Sequence, residues 1–271
     1  MFAAFPNWYA TLFSGFYLIL FLLIVSLVFR GVAIEFRSKD MRPQWRRTLD
    51  ILIFIGSLIP PLVWGLILGN LLHGVPIDAQ MNYVGSFGTL LNPYALVGAV
   101  STALLFTLHG ALYLGLKAPE PLGNRAQSLA YRVGLWATIF YFGFVALSYV
   151  YSRFAHKLGV NPGPIPILAG VSMIAVRFLL PGKRYGWAFA ATALTIALSA
   201  ISAFLVLFPN VMISSLNPRW NLTIYNASSN PYSLKVMSIL ALFLIPLVLA
   251  YQAWSYWVFR RRVRLDETFH Y

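Results

Sequence analysis

Few residues in this chain could move a proton or hold a metal, and their places in the sequence limit the chemistry. The seven carboxylates are Glu35, Asp40, Asp50, Asp78, Glu120, Asp266 and Glu267, and all fall at the ends of apolar stretches or between them. Glu35 stands out because it sits in an apolar but basic run, Arg30-Gly31-Val32-Ala33-Ile34-Glu35-Phe36-Arg37-Ser38-Lys39. If a helix continues past Arg30, Glu35 lies about 7.5 Å further along its axis. A carboxylate there could collect protons at the mouth of a path; the alternative is a salt bridge to Arg37 or Lys39. His109 is the one histidine inside an apolar stretch. It could ligate a heme, with Gly110 leaving a face open, or hydrogen-bond to a neighbouring helix. His73, His156 and His270 are not spaced as metal ligands, and the absence of cysteine excludes disulfides, iron–sulfur clusters and thiolate chemistry.

The elements that position these residues are membrane spans. The chain has 271 residues, of which 59% are hydrophobic and 10% charged, with a mean hydropathy of +0.73. A water-soluble domain needs about a quarter charged residues. About 20 apolar residues cross a bilayer as a helix, and residues 9–30, 49–72, 91–116, 132–151, 164–180, 187–208 and 235–259 qualify. The expected fold is an all-α polytopic bundle of about seven spans, forming a single membrane domain over residues 1–271. The fifth span opens through Asn161-Pro162-Gly163-Pro164-Ile165-Pro166, and proline in a first turn starts a helix.

Charge sets the orientation. Arg30, Arg37, Lys39, Arg42, Arg46 and Arg47 follow the first span; Lys117, Arg125 and Arg132 follow the third; Arg177, Lys183 and Arg184 follow the fifth; Arg260, Arg261, Arg262 and Arg264 close the chain. Only Arg153, Lys157, Arg219 and Lys235 fall on the other side. By the positive-inside rule the C-terminus is cytoplasmic and Met1 is outside. The +13 net charge is therefore a topology signal and not a nucleic-acid footprint. An external N-terminus ordinarily follows a signal peptide or an even number of earlier spans, yet Met1 is followed by an aromatic stretch with no basic region.

Pro60-Pro61 interrupts the second span and should bend it, while Gly65 and Gly69, four apart, share a face suited to close helix packing. Tyr251, Gln252, Trp254, Tyr256 and Trp257 read as an interfacial belt. Residues 208–234 form the longest external loop. Its sequons, Asn221-Leu222-Thr223 and Asn226-Ala227-Ser228, read as chance matches. Trp220, Ile224, Tyr225 and Tyr232 make it too apolar for free solvent, so it should pack over the external face.

Several segments together resemble one family. They include Phe29-Arg30-Gly31 through Ser38-Lys39, Ile55-Gly56-Ser57 with Pro60-Pro61, Gly69-Asn70-Leu71-Leu72 with Gly74-Val75-Pro76, and Leu91-Asn92-Pro93. Further on come Phe208-Pro209-Asn210-Val211-Met212, Leu222-Thr223-Ile224-Tyr225-Asn226-Ala227-Ser228-Ser229 and Ala250-Tyr251-Gln252-Ala253-Trp254-Ser255-Tyr256-Trp257. The collinear set resembles subunit II of the bacterial cytochrome bd ubiquinol oxidases, including the cyanide-insensitive branch. The resemblance implies a multi-pass protein of the bacterial inner membrane that pairs with subunit I. That partner would carry hemes b and d, oxidise quinol and reduce dioxygen to water. This chain would ligate no heme or metal and would not be catalytic alone. Membrane lipid and a small accessory subunit are further candidate partners. Glu35 falls at the family's acid near a cytoplasmic proton intake.

The resemblance also implies two further spans before Met1, with a tryptophan–aspartate pair of the proton route and much of the subunit interface. The expectation is that Met1 is an internal methionine, the start being misassigned or the gene truncated. Rival readings are weaker. A retinal protein needs a lysine midway along its last helix, and Lys235 is at the outer end. A transporter needs mid-membrane polar sites, and no mid-span acid completes one. A pure assembly scaffold would be indifferent to loss of Glu35.

Overall fold

The structure is a computed structural model describing residues 2–151 and 164–259. Arg153, His156 and Lys157, the tail cations, Asp266, Glu267 and His270 lie outside the described residues. Nine helices are present among those described: α1 (Pro6–Gly15), α2 (Tyr17–Phe36), α3 (Pro43–His73), α4 (Phe87–Leu90), α5 (Pro93–Lys117), α6 (Leu122–Tyr151), α7 (Ile165–Leu179), α8 (Tyr185–Leu207) and α9 (Pro231–Val258). Six of them (α2, α3, α5, α6, α8 and α9) are long and apolar enough to cross a membrane, and α7 is a shorter apolar helix. Its 15 residues extend about 22 Å, less than a hydrocarbon core of about 30 Å.

Proline and asparagine set the helix starts. Proline occupies the first turn of α1, α3, α5, α7 and α9, where its missing N–H would have had no helical acceptor. Asn92 and Asn230 cap α5 and α9, their side-chain oxygens accepting from the Ala95 and Ser233 amides at 2.9 and 2.8 Å.

The first apolar stretch is not one span. It breaks at Phe16 into α1 and α2, because the external loop after α3 fills the space beside it. A Cβ on Gly15 would lie 2.6 Å from the Tyr83 ring, and the Thr11 hydroxyl bonds to the Met81 carbonyl at 2.5 Å. The membrane-crossing helix therefore begins at Tyr17 and runs on to Phe36, with Arg30 and Glu35 inside it. Pro60 and Pro61 lie within an uninterrupted α3; they leave the Gly56 and Ser57 carbonyls without their helical donors.

Helices neighbouring in sequence pack on one another, α2 on α3, α3 on α5, α5 on α6 and α7 on α8, and α5 also meets α8. Two apolar cores result. One gathers Phe16, Ile67, Leu71, Val75, Met212 and Leu222 beneath the external loops. The other gathers Leu108, Leu112, Ala137, Met173, Val176 and Ala188 among α5 to α8. By contrast, none of the α9 residues is buried.

The external face is an irregular lid with a little β-structure in an otherwise helical chain. Strands Asn210–Met212 and Leu222–Thr223 pair antiparallel, and the Val75 amide donates to the Ile213 carbonyl at 2.9 Å. The sequon asparagines serve this lid. Asn221 Oδ1 accepts from the Ser214 amide at 2.8 Å and Asn226 Oδ1 from the Thr223 amide at 2.7 Å. The loop covers the external face as expected, with Leu222 and Ala227 fully buried, but Tyr225 and Tyr232 remain exposed.

Candidate functional site

The cation-rich end gathers the α2–α3, α5–α6 and α7–α8 turns, as the alternation of charge requires. In the first turn, Arg37 just past α2 reaches Asp50 in α3. Its Nε and Nη2 donate to Asp50 Oδ1 and Oδ2 at 2.5 and 3.2 Å. Arg42 binds Asp40 with its backbone amide and guanidinium at 2.9 and 2.7 Å. The hydrogen bond from the Arg42 side chain holds the Asp40 carboxyl below the usual carboxylate range, and the same chemistry with Asp50 raises Arg37. Since the folded value of Asp40 is the lower one, what this pair adds to stability is fully present above the ordinary carboxylate pKa. It is lost only as pH falls through the folded value. Both pairs are solvent-exposed and serve to hold the turn.

Glu35 is left alone by this arrangement. Of its two expected partners, Arg37 is committed to Asp50 and Lys39 does not pair with it, and no hydrogen bond or ion pair joins Glu35 to any described residue. It lies one residue before the end of α2, exposed, on the face it shares with Val28, Gly31 and Val32. That face is open: a Cβ on Gly31 would meet nothing within 4 Å. The Trp45 indole nitrogen donates to the Phe36 carbonyl at 3.1 Å, so the helix end that carries Glu35 is tied down while its carboxylate binds none of the described residues.

His109 is bonded to a neighbouring helix, the second of its two readings. Its Nδ1 lies 2.7 Å from Thr192 Oγ1 of α8, and its ring stacks on Phe189 at 4.4 Å. His73 is at the external end of α3, its Nδ1 3.3 Å from the Gly74 carbonyl oxygen. The sequence reading did not assign two polar clusters that the fold assembles. In one, buried Asn70 donates to the Leu66 and Leu90 carbonyls at 2.9 and 2.8 Å and accepts from the Asn92 amide at 2.9 Å. The signal for it was an asparagine following Gly69 inside an apolar span. In the other, Tyr141, Ser148, Ser199 and Ser202 line a cavity of about 70 Å³ with Phe144 and Ala169. Tyr141 and Ser199 bond at 3.0 Å, but the buried Ser202 hydroxyl has no partner. A buried hydroxyl without a partner costs about 1–3 kcal/mol. Ser202→Ala is therefore expected to leave thermal unfolding unchanged or raise its midpoint; a clear fall would reveal a bond to Ser202.

These features sit in a chain with clear relatives. Residues 1–259 match the family described as cytochrome bd terminal oxidase subunit II. The chain is 40% identical over 271 residues to cytochrome bd ubiquinol oxidase subunit 2 of Bacillus subtilis, spanning 100% of this chain and 80% of that one. It is 35% identical over 302 residues to cytochrome bd-I ubiquinol oxidase subunit 2 of Escherichia coli K12, covering 98% and 79% of the two. The fold is similar to that in the structure of bd oxidase from Geobacillus thermodenitrificans, with a TM-score of 0.60 at 18% identity over 89% of this chain and 72% of that chain. With spans, cation-rich ends and sequence in agreement, the chain belongs to the cytochrome bd oxidase subunit II family and is a multi-pass membrane subunit of a bd-type quinol oxidase.

Proposed function

We propose that this subunit supports a partner, subunit I, that carries hemes b and d and reduces dioxygen with electrons from quinol, and that Glu35 receives protons at the cytoplasmic mouth of a path serving that reaction. The observation that carries the second part is the free carboxylate. Of the acids in the α2–α3 region, Asp40 and Asp50 are bound by arginine, whereas Glu35 has neither an ion pair nor a hydrogen bond to any described residue. A group that must take up and hand on a proton needs that freedom, since a carboxylate locked to a guanidinium is held in its charged form. The anchored helix end fixes its position and the open face beside Gly31 leaves room for water or a second helix. His109, held by Thr192, has a packing role in this reading and the hemes reside in the partner. The exposed residues Ile24, Val28 and Val32 of α2 suit contact with other membrane helices, with lipid and a small accessory subunit as further partners.

Glu35→Gln keeps the side chain's size and removes its ability to ionise. The expected result is a slowing of quinol oxidation and of coupled proton uptake on the order of tenfold, about 1.4 kcal/mol of barrier. The reduced-minus-oxidised spectrum of the b and d hemes should be unchanged. Unaltered turnover with unaltered hemes would make the chain an assembly scaffold as far as Glu35 is concerned. Absent heme bands in the unsubstituted complex would remove the partner assignment itself.

A further inference from the structure

Helix α9 crosses the whole molecule yet buries nothing, and its attachment is uneven along its length. Ser233, Leu234, Met237 and Ala241 near its external end are partly covered, as is Ser255 near its cytoplasmic end, while residues 242–254 are exposed throughout. Leu234, Met237, Ala241, Leu244, Val248, Gln252, Ser255 and Phe259 fall on one stripe at 3.6 residues per turn. The residues covered at both ends and those bare in the middle thus share a face. At the cytoplasmic end the Lys117 ammonium, closing α5, donates to the Phe259 carbonyl at 2.8 Å.

Two unmet polar groups lie opposite each other along this gap. The Thr192 hydroxyl has one proton, and its 2.8 Å bond to the Phe189 carbonyl uses it. Thr192 Oγ1 must then accept from His109, which places the imidazole proton on Nδ1. His109 Nε2 is left as a bare acceptor, and no described residue donates to it. Gln252 is the reverse case: an amide in an apolar helix with no hydrogen bond among the described residues. His109 lies within the apolar part of α5 and Gln252 at the inner end of the aromatic belt, where a polar side chain away from water gains from a protein partner. Both helices run from the external face to the cytoplasmic one, and their ends are joined. Counting back from the joint at about 1.5 Å per residue, His109 is about 12 Å up α5 and Gln252 about 10.5 Å up α9. Beside His109, Gly110 faces open space and shares a stripe with Phe106, Leu114 and Lys117, so a helix can approach closely there.

We infer that α9 docks along the Phe106–Gly110–Leu114–Lys117 face of α5, with the Gln252 amide donating to His109 Nε2. Docking meets both polar needs at once and extends to the middle of α9 the contact that its cytoplasmic end already makes with α5.

The chain has no cysteine, so pairs can be introduced without background from it. Phe106 and Val248 are each eleven residues from the joint, on the two docking stripes, and both are exposed. In the assembled oxidase in native membranes, Phe106→Cys with Val248→Cys should form a disulfide under mild oxidation. It should form more than about tenfold faster than Phe106→Cys with Ala250→Cys, which faces the other way. Replacing Gln252 by Leu should abolish that advantage. Equal rates in the two pairs, or capture of the Phe106→Cys thiol by another chain, would overturn the proposal and assign the α5 face to lipid or to a second subunit. A readout without cysteine guards against misassembly: thermal unfolding of His109→Ala, Gln252→Ala and the double variant. Bonded partners predict that the double variant loses no more than the worse single one; additive losses would overturn the pairing.

Discussion

Gly65→Ala is expected to destabilise the oxidase subunit more than any other single-methyl change, with Gly69→Ala close behind. A Cβ on Gly65 would lie 2.4 Å from the Gly98 carbonyl oxygen and 2.7 Å from the Ala99 Cα; one on Gly69 would lie 2.7 Å from the Ala95 Cα. These obstacles are backbone atoms of α5, which no rotamer change can move. The added methyl must push α3 and α5 apart, and Val63, Ile67, Leu71, Tyr94 and Ala99 of the external core lose contact along the whole crossing. Overpacking ordinarily costs about 1–3 kcal/mol. Displacement of two backbones puts Gly65→Ala at or above the top of that range. The check is the thermal midpoint and yield of the purified complex beside Gly143→Ala, whose new Cβ would meet nothing within 4 Å. That control should stay within about 0.5 kcal/mol. Equal behaviour of the two variants would mean that α3 and α5 do not cross this closely.

Asn70→Leu should be nearly as damaging, for a different reason. Asn70 is 1% exposed and links three elements: its own helix, the Phe87–Leu90 turn and the cap of α5. Leucine keeps the approximate volume but leaves the Leu90 carbonyl without the Asn70 amide and takes from the Asn92 amide the shorter of its two bonds, the other being to the Thr89 carbonyl at 3.4 Å; the Leu66 carbonyl keeps its helical donor. The buried Leu90 carbonyl losing its bond costs about 1–3 kcal/mol, and the half-buried Asn92 amide adds a smaller loss, about 2–4 kcal/mol together. Asn92 also caps α5 through its side-chain oxygen, so its displacement would loosen the first turn of that helix. Thermal unfolding of the complex checks the figure; a change below about 1 kcal/mol would show that the Asn70 network is dispensable.

Much of this architecture was legible from composition and spacing because membrane solvation constrains a chain so strongly. Apolar runs long enough to cross hydrocarbon, separated by cations on alternate sides, admit few arrangements, and the proline-led start of α7 followed from local backbone chemistry; the prolines that start α3 and α9 lie several residues before the apolar runs that marked those spans. The first span was misread for a physical reason. Residues 6–36 are apolar nearly throughout, and hydropathy cannot register a break made by a distant loop. Tyr83 and Met81, some seventy residues away, hold Gly15 and Thr11 and so end α1. Likewise, Tyr225 and Tyr232 are apolar enough to suggest burial, but the lid closes over Leu222 and Ala227 instead.

The candidate site divides the same way. The sequence by itself determined that Glu35 is the acid set in an apolar, basic run, that His109 is the histidine inside a span, and that Gly65 and Gly69 share a helix face. Each of these depends on neighbours a few residues off, linked by the period of the helix. Only the tertiary structure decided which partners these groups have. Arg37 turns to Asp50 on α3 and leaves Glu35 without a partner among the described residues, Thr192 on α8 bonds His109, and α5 supplies the backbone that crowds Gly65. Hydrogen bonds and steric exclusion act over about 3 Å, and such distances between residues far apart in the chain exist only once the helices have packed.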